Sequence, residues 1–370
     1  MTEIQEELTM TEITELWTNR ADLRETKTVT RTAPELGEGE VLMKIEKFGL
    51  TANNVSYAVT GDSIGYWGYF PADETWGKVP AWGFAHVIES NCPEIEVGER
   101  VWGFFPLASH VVLRPGKVKP ARFVDTAEHR AALPPMYNGY MRTGPEPEIL
   151  SQFEDERCIL FPLFATSYIL YDFLIDNDFF GADQVLIGSA SSKTGFGLAH
   201  LLFNDKSLDK RVVGLTSTGN AVFCEKLGCF DEITVYGTEN ELDPSTKSVF
   251  VDMSGDRPLT VRIHEHFTDN LLATWVVGAT HWEDGGKPPA GLPGAKPTFF
   301  FAPTHMGKRD KEWGPGKFWE KAFTASIEVT QDTASTLVIV AQSGADAAAA
   351  SWLGLLDNKV PGSTGMIVSI

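Results

Sequence analysis

Residues 184–202 read QVLIGSASSKTGFGLAHLL: a short apolar run, a stretch of small and hydroxylated residues, then a helical pattern. The run at 184–189 has the length of a buried strand, and the helical pattern holds from 195 to 203. Between them, Gly188, Ser189, Ser191, Ser192, Lys193, Thr194, Gly195 and Phe196 form a candidate anion-binding loop. Glycine permits a tight turn and lets backbone N–H groups approach a pyrophosphate. The helix N-terminus adds partial positive charge for the same anion. The spacing departs from a strict Gly-x-Gly-x-x-Gly pattern, and a turn of purely structural purpose is the competing reading.

The next apolar run, RVVGLT at 211–216, decides between cofactors. Folds that bind NAD usually carry Asp or Glu at its end, where a carboxylate holds the ribose 2′-hydroxyl. Here the run ends in Thr216, Ser217, Thr218 and Asn220. No acid is present to repel a 2′-phosphate, the hydroxyls can donate to one, and Lys193 adds charge. NADP(H) is therefore favoured over NAD(H). The alternative is an ordinary polar turn capping the helix pattern at 220–227.

A third group of candidates is aromatic. SYAVTGDSIGYWGYFPADETW, residues 56–76, offers three phenols as hydrogen-bond or proton donors: Tyr57, Tyr66 and Tyr69. Tyr137, Asn138, Tyr140 and Arg142 make a second polar-aromatic cluster that would cover a pocket or hold an anionic group of a substrate. Rings among Gly and Pro also pack irregular loops, so packing competes with chemistry at each.

These residues need elements to position them. Up to about residue 150, VLMKIEKFGL, VPAWGFAHVIES, RVWGFFPL and SHVVLRP read as strands separated by tight turns. The middle of the chain alternates strand and helix: runs at 184–189, 211–216, 232–236 and 248–255, then LLATWVVGAT and TFFFAP. Such alternation implies a parallel, doubly wound sheet, because parallel neighbours need crossover connections. Beyond 304 the pattern predicts a helix near 318–327 and strands at TLVIVAQ and GMIVSI.

Composition limits the partners. The chain has 370 residues, 43% of them hydrophobic, enough for a large core and two domains. Thirty-one basic against 50 acidic residues give a net charge of −19, which repels phosphate backbones and argues against nucleic acid. The N-terminal residues lack the basic and apolar regions of a signal peptide. The apolar stretch at 158–180 is interrupted by Pro162, Asp172, Asp176 and Asp178 and reads as core rather than a membrane span. Cys92, Cys158, Cys224 and Cys229 form no CxxC pair and fit buried thiols. A cytoplasmic protein without membrane partners is expected.

Together these segments resemble the medium-chain dehydrogenase/reductase superfamily, on its zinc-free, quinone-reductase-like side. VLIGSASSKTGFGLAHLL is similar to its cofactor loop, and VVGLTSTGNAVFCEKLGCFDEITVY to its second strand, helix and third strand. FGLTANNVSYAVTGD, VPAWGFAHVIES and VGERVWG resemble its active-site loop and two strand-turn segments. With its YNGYMRT and VGATHW stretches, the chain is most similar to a subgroup of uncharacterised reductase-like proteins, which lends no substrate.

The resemblance implies an α/β protein: a GroES-like β-rich catalytic domain at 1–155 and 304–370, and a Rossmann nucleotide-binding domain at 156–303. It implies that Tyr236 lies beside the adenosine ribose. Thr166, in the Thr-Ser-Tyr at 166–168, would stand at a helix start under the nicotinamide. Asn54 would face the pocket, and Tyr66 or Tyr69 would act as acid. Trp275–Thr280 would lie in a strand suited to a homodimer. Where zinc-dependent relatives carry a Cys ligand and a Gly-His-Glu, this chain reads Thr51-Ala52-Asn53-Asn54 and Ala81-Trp82-Gly83, so no metal is expected. His264-Glu265-His266 reads as a helical surface segment.

Without a metal, the chemistry narrows to substrates whose developing negative charge hydrogen-bond donors can hold. The expected activity is NADPH-dependent reduction of an activated C=C or carbonyl in a small hydrophobic molecule such as an enone, quinone or ketone. The alternative is a catalytically silent NADP(H)-binding protein of the same fold, acting as a sensor or partner module.

Overall fold

The computed structural model describes residues 11–278, 291–314 and 316–370. Part of the VGATHW stretch falls outside them. The chain divides into two compact units: residues 1–148, 340–359 and 366–370, and residues 149–339 with 360–365.

The first unit is built from β1 (Glu12–Asn19), β2 (Thr26–Thr32), β3 (Val41–Leu50), α1 (Ala52–Val59), β4 (Trp76–Gly77), β5 (Pro80–Ser90), β6 (Arg100–Pro106), β7 (His110–Leu113), β8 (Pro115–Lys119), β9 (Arg122–Asp125) and β10 (Gly139–Arg142). Strands β2, β1 and β4 make a small sheet. A larger antiparallel sheet pairs β3 with β5, β5 with β6, and β6 with β10. β6 is buried on both faces, which its RVWGFFP sequence permits because nearly every residue is apolar. At Gly83 a Cβ would stand 2.2 Å from the Lys47 carbonyl, so β5 can lie this close to β3 only with glycine there.

The second unit contains α2 (Glu154–Asp176), β11 (Gln184–Gly188), α3 (Lys193–Asn204), β12 (Arg211–Thr216), α4 (Ala221–Leu227), β13 (Glu232–Val235), β14 (Ser248–Asp252), α5 (Arg257–Phe267), β15 (Leu271–Val276), β16 (Pro297–Phe299), α6 (Ala302–Trp313) and α7 (Lys317–Thr333). Its six strands are parallel in the order β13-β12-β11-β14-β15-β16. Numbered from β11 this is 3-2-1-4-5-6, the doubly wound dinucleotide-binding order. β11 and β14 are buried at every position, as strands covered on both faces must be.

The chain ends with β17 (Val338–Ser343), α8 (Ala345–Leu356) and β18 (Thr364–Ser369). Within the first unit, Met366–Val368 pair antiparallel with Phe48–Leu50 of β3. The architecture is thus the expected α/β class: a β-rich unit plus a Rossmann sheet.

Two expectations are corrected. Residues 304–339 belong with the Rossmann unit rather than with the β-rich one. Phe318 and Ala322 of α7 share a core with Val185, Ile187 and Leu198. Asp172 of α2 is gripped by His305 and Arg309 of α6, at 2.5 Å each. The second correction concerns His264. Its segment is helical, but His264 is fully buried, between the Pro293 carbonyl at 2.8 Å and the Thr274 hydroxyl at 3.1 Å.

α2 is long and apolar enough to cross a bilayer. Most of its apolar window is nevertheless buried, and Leu170 and Leu174 lie in the core just named, so it serves as a core helix. All four cysteines are buried and free. Burial raises the Cys224 thiol to about 11 and that of Cys229 to about 12, which keeps both protonated.

Candidate functional site

The order of the Rossmann strands reverses between β11 and β14, and ligands of open α/β sheets bind beyond the strand ends at such a point. β11 ends there at Gly188 and β14 at Asp252. Beyond Gly188 the chain turns sharply: Ser189 is left-handed, at φ +54. Its N–H donates to the Tyr236 hydroxyl at 2.9 Å, which fixes this unfavourable conformation. Ser192 then caps α3, its Oγ accepting from Gly195 N–H at 3.1 Å. Gly195 is tightly specified, since a Cβ would lie 2.6 Å from the Ser189 carbonyl. Gly197 is also enclosed, by Phe164 and Ser167 of α2. The result is a compact loop with α3 rising from it, the form suited to a pyrophosphate.

Lys193 is the first residue of α3. Its Nζ donates to the carbonyls of Gly362 at 2.8 Å and Thr364 at 2.7 Å. Burial lowers its pKa to about 8, and no carboxylate contributes to that shift. At the end of β12, Thr216 is buried and Ser217 is exposed. Asn220 donates to Ser217 Oγ at 3.2 Å and accepts from Gly362 N–H at 3.3 Å. No carboxylate follows this strand before Asn220.

Some expected cofactor contacts have other roles. Phe196 is wholly buried, its ring packed edge-on against Phe164 and Phe223. Its side chain anchors α3. Thr166 lies deep inside α2, which begins at Glu154, and not at a helix start. Thr194 serves the loop through its backbone carbonyl, which accepts from Ser167 Oγ at 2.9 Å. Ser191 is buried beside Gly362. Sequence reasoning missed Asp252, whose Oδ1 accepts from Ser254 N–H, Ser254 Oγ and Gly255 N–H at 2.8, 2.7 and 3.0 Å. The signal was present as an acid followed by Ser and Gly at a strand end. It also missed the Gly362–Thr364 segment, for which no local signal exists.

In the first unit the phenols gather around β5 and β6. Tyr57 comes from α1, and Tyr66 from a single helical turn after Gly65, whose φ is +95. Tyr137 comes from the turn Pro135–Tyr137. Ring centroids are 4.6 Å apart for Tyr57–Tyr66, 5.3 Å for Tyr66–Tyr137 and 4.8 Å for Phe104–Tyr137. Trp82 stacks on Trp102 at 4.7 Å, and its Nε1 donates to the Tyr57 hydroxyl at 3.2 Å. The Tyr66 and Tyr137 hydroxyls share one hydrogen bond of 2.7 Å. Burial raises the pKa of Tyr57, Tyr66 and Tyr137, so each phenol keeps its proton at neutral pH.

Four other candidates are already engaged. The Tyr69 hydroxyl donates to the Pro134 carbonyl at 2.6 Å. Tyr140 is fully buried; it donates to the Phe104 carbonyl at 2.7 Å and accepts from Arg130, which is itself paired with Asp125 at 3.0 Å. Arg142 is bound to Glu99 at 2.7 Å and to the Lys119 carbonyl at 3.2 Å, so it is not a free cation for a substrate. Asn54 is a structural clamp: Oδ1 accepts from Thr51 N–H at 2.7 Å and Nδ2 donates to the Pro80 carbonyl at 2.8 Å. The bonds of Asn54 join α1 to the start of β5. Polar type and loop position had made these residues candidates; their partners show the structural use. Among the described residues, no three of His, Cys, Asp or Glu gather as a metal-holding group.

A family model described as a protein of unknown function, DUF2855, matches residues 48–361. No curated protein is similar to the chain by sequence. Solved structures share its fold at low identity. CurA from Vibrio vulnificus in complex with NADPH is 15% identical over 97% of this chain and 99% of its own, with a TM-score of 0.62. The yhdH oxidoreductase from Salmonella enterica in complex with NADP is 16% identical over 96% and 99%, with a TM-score of 0.56. An Etr1p mutant in complex with NADP and crotonyl-CoA is 13% identical over 98% and 100%, with a TM-score of 0.58. The fold expected from the sequence is therefore shared with these structures along nearly the whole chain.

Proposed function

The chain belongs to the DUF2855 family, and we propose that it is an NADPH-dependent, zinc-independent oxidoreductase reducing an activated C=C or carbonyl of a small hydrophobic molecule. The observation that carries this reading is the phosphate loop with Lys193. A largely buried ammonium stands at the positive end of a helix with, among the described residues, only carbonyls as partners. Buried charges ordinarily have counter-charges, and a phosphate dianion would complete this one. The acid-free end of β12 supports NADP(H) over NAD(H), and three structures of the same fold hold NADPH or NADP.

Bound NADPH supplies hydride to an electrophilic carbon. The chain's own part is to hold the phosphates and stabilise the negative charge that then develops on a substrate oxygen. The phenol group fits that task. Tyr66 and Tyr137 carry two hydroxyl hydrogens, and their shared bond uses one. The other can donate to an enolate or phenolate oxygen and then transfer as the proton. Burial strengthens such a donor by excluding water. Crotonyl-CoA in the Etr1p structure is an activated C=C of this type. The resemblance sets Thr51–Asn54 and Ala81–Gly83 where zinc-dependent relatives carry ligands, and neither stretch holds a Cys, His or acid.

NADPH oxidation followed with a panel of enones, quinones and aromatic ketones tests the proposal. Turnover of any member is expected. NADPH binding without hydride transfer to any of them would leave the silent binding protein as the correct reading.

A further inference from the structure

Residues 360–365 belong to the Rossmann unit, although some 170 positions separate them from the phosphate loop. They rest on both loops assigned above to NADPH. Lys193 Nζ holds the Gly362 and Thr364 carbonyls, and Asn220 Oδ1 holds Gly362 N–H. The contact with the loop is close: a Cβ on Gly362 would fall 2.8 Å from Ser191 Cβ and 3.0 Å from the Ser191 carbonyl. Further bonds fix the segment from its other side, where Val338 N–H donates to the Ser363 carbonyl at 2.8 Å. A Cβ on Gly365 would meet Ile159 at 2.4 Å.

We propose that Lys193 is a positioning residue that couples the cofactor's phosphates to the segment 360–365, so that NADPH binding tightens this strap. The inference rests on the NADPH reading. An ammonium has three N–H donors, and two of them hold carbonyls. The third can meet a phosphate oxygen while the other two remain in place. A dianion there keeps Lys193 charged and strengthens its bonds to Gly362 and Thr364, since charge-assisted hydrogen bonds are about twice as strong as neutral ones. Without the cation, the strap keeps only the Asn220 bond and the Ser191 contact to the cofactor loops, and no charged group joins it to the phosphates.

Hydrogen–deuterium exchange of the full chain, with and without saturating NADPH, tests the coupling. In the wild type, exchange is expected to slow in residues 189–200 and also in 358–366. In Lys193→Met, NADPH should bind about tenfold more weakly, as for loss of one charge-assisted bond. At saturation the variant's loop should still slow, while 358–366 slows less than in the wild type because only the Asn220 and Ser191 contacts remain. Lys193→Arg should restore part of the strap's protection. Gly362→Ala, which forces a methyl group onto Ser191, should raise exchange of 358–366 and weaken NADPH. A wild-type loop that slows while the strap is unchanged would overturn the coupling, as would equal slowing of the strap in Lys193→Met. If NADPH slowed neither region in the wild type, the NADPH reading itself would fall, and this inference with it.

Discussion

Gly195→Ala places one methyl group where the phosphate loop has no room. The added Cβ would lie 2.6 Å from the Ser189 carbonyl and 2.8 Å from Ser192 Oγ, whereas ordinary contact begins at 3.4 Å. The loop must therefore open by about 0.8 Å at Ser189. Ser189 resists, because its left-handed backbone is tied to Tyr236 and the next N–H, of Ala190, donates to the Leu215 carbonyl at 3.0 Å. Overpacking of this kind costs about 1–3 kcal/mol. Alanine also favours the helix by up to about 1 kcal/mol over glycine, so the net loss of stability should be about 2 kcal/mol or less and the variant should stay folded. The strain falls on the geometry the pyrophosphate needs, and NADPH affinity should drop about five- to 150-fold. The assay is a fluorescence titration of NADPH, with thermal unfolding of the cofactor-free protein to establish that the variant is folded. Gly307→Ala, in α6 and outside both loops assigned to the cofactor, is the control: its Cβ would meet nothing within 4 Å, and its affinity should stay within about twofold of wild type. A folded Gly195→Ala protein with wild-type affinity would refute the placement of the cofactor phosphates on this loop.

Removing both hydroxyls, in Tyr66→Phe with Tyr137→Phe, should lower kcat by about 10²–10⁴-fold with NADPH affinity unchanged, as for loss of a proton donor; a wild-type kcat would remove the Tyr66–Tyr137 pair from the chemistry. Lys193 titrates near 8, and its charged form is the one that attracts phosphate, so NADPH affinity should fall as pH rises through 8. In the cofactor-free protein the sign reverses. The folded pKa lies below the ordinary 10.5, the unfolded chain binds more protons between the two values, and this group's contribution to stability rises with pH across that window. A pH-independent affinity, or the same profile in Lys193→Met, would contradict this. Asn54→Ala leaves the Pro80 carbonyl and Thr51 N–H without their side-chain partner and should cost about 1–3 kcal/mol in chemical denaturation, with kcat of the folded protein within a few-fold of wild type. Unchanged stability with a collapsed kcat would return Asn54 to the catalytic group.

Strands β11, β12 and β14 were legible because each has a short, buried, largely apolar run, and the phosphate loop because small residues at 188–195 interrupt that pattern. The start of α2 is hidden: Pro162 and a nearly uniform apolar surface leave no periodic signal at Glu154, and the resemblance of Thr166-Ser167-Tyr168 to a helix start sets Thr166 at an end it does not occupy. The allegiance of α6 and α7 depends on His305 and Arg309 reaching Asp172 across more than 130 positions, which no local pattern carries. Arg142, Tyr140 and Asn54 have side chains equally suited to substrate or to scaffold; the identity of their partners decides, and partners are a property of the fold. The same holds for Gly362, whose role depends entirely on Lys193 and Asn220.

Calorimetric titration of the full chain with NADPH and, separately, with NADH tests the central claim most directly. The account predicts one saturable site for NADPH and at least tenfold weaker binding of NADH, because Thr216–Asn220 offers a 2′-phosphate hydroxyl and amide groups and no carboxylate. Absence of binding by both nucleotides, or NADH binding as tightly as NADPH, would contradict it.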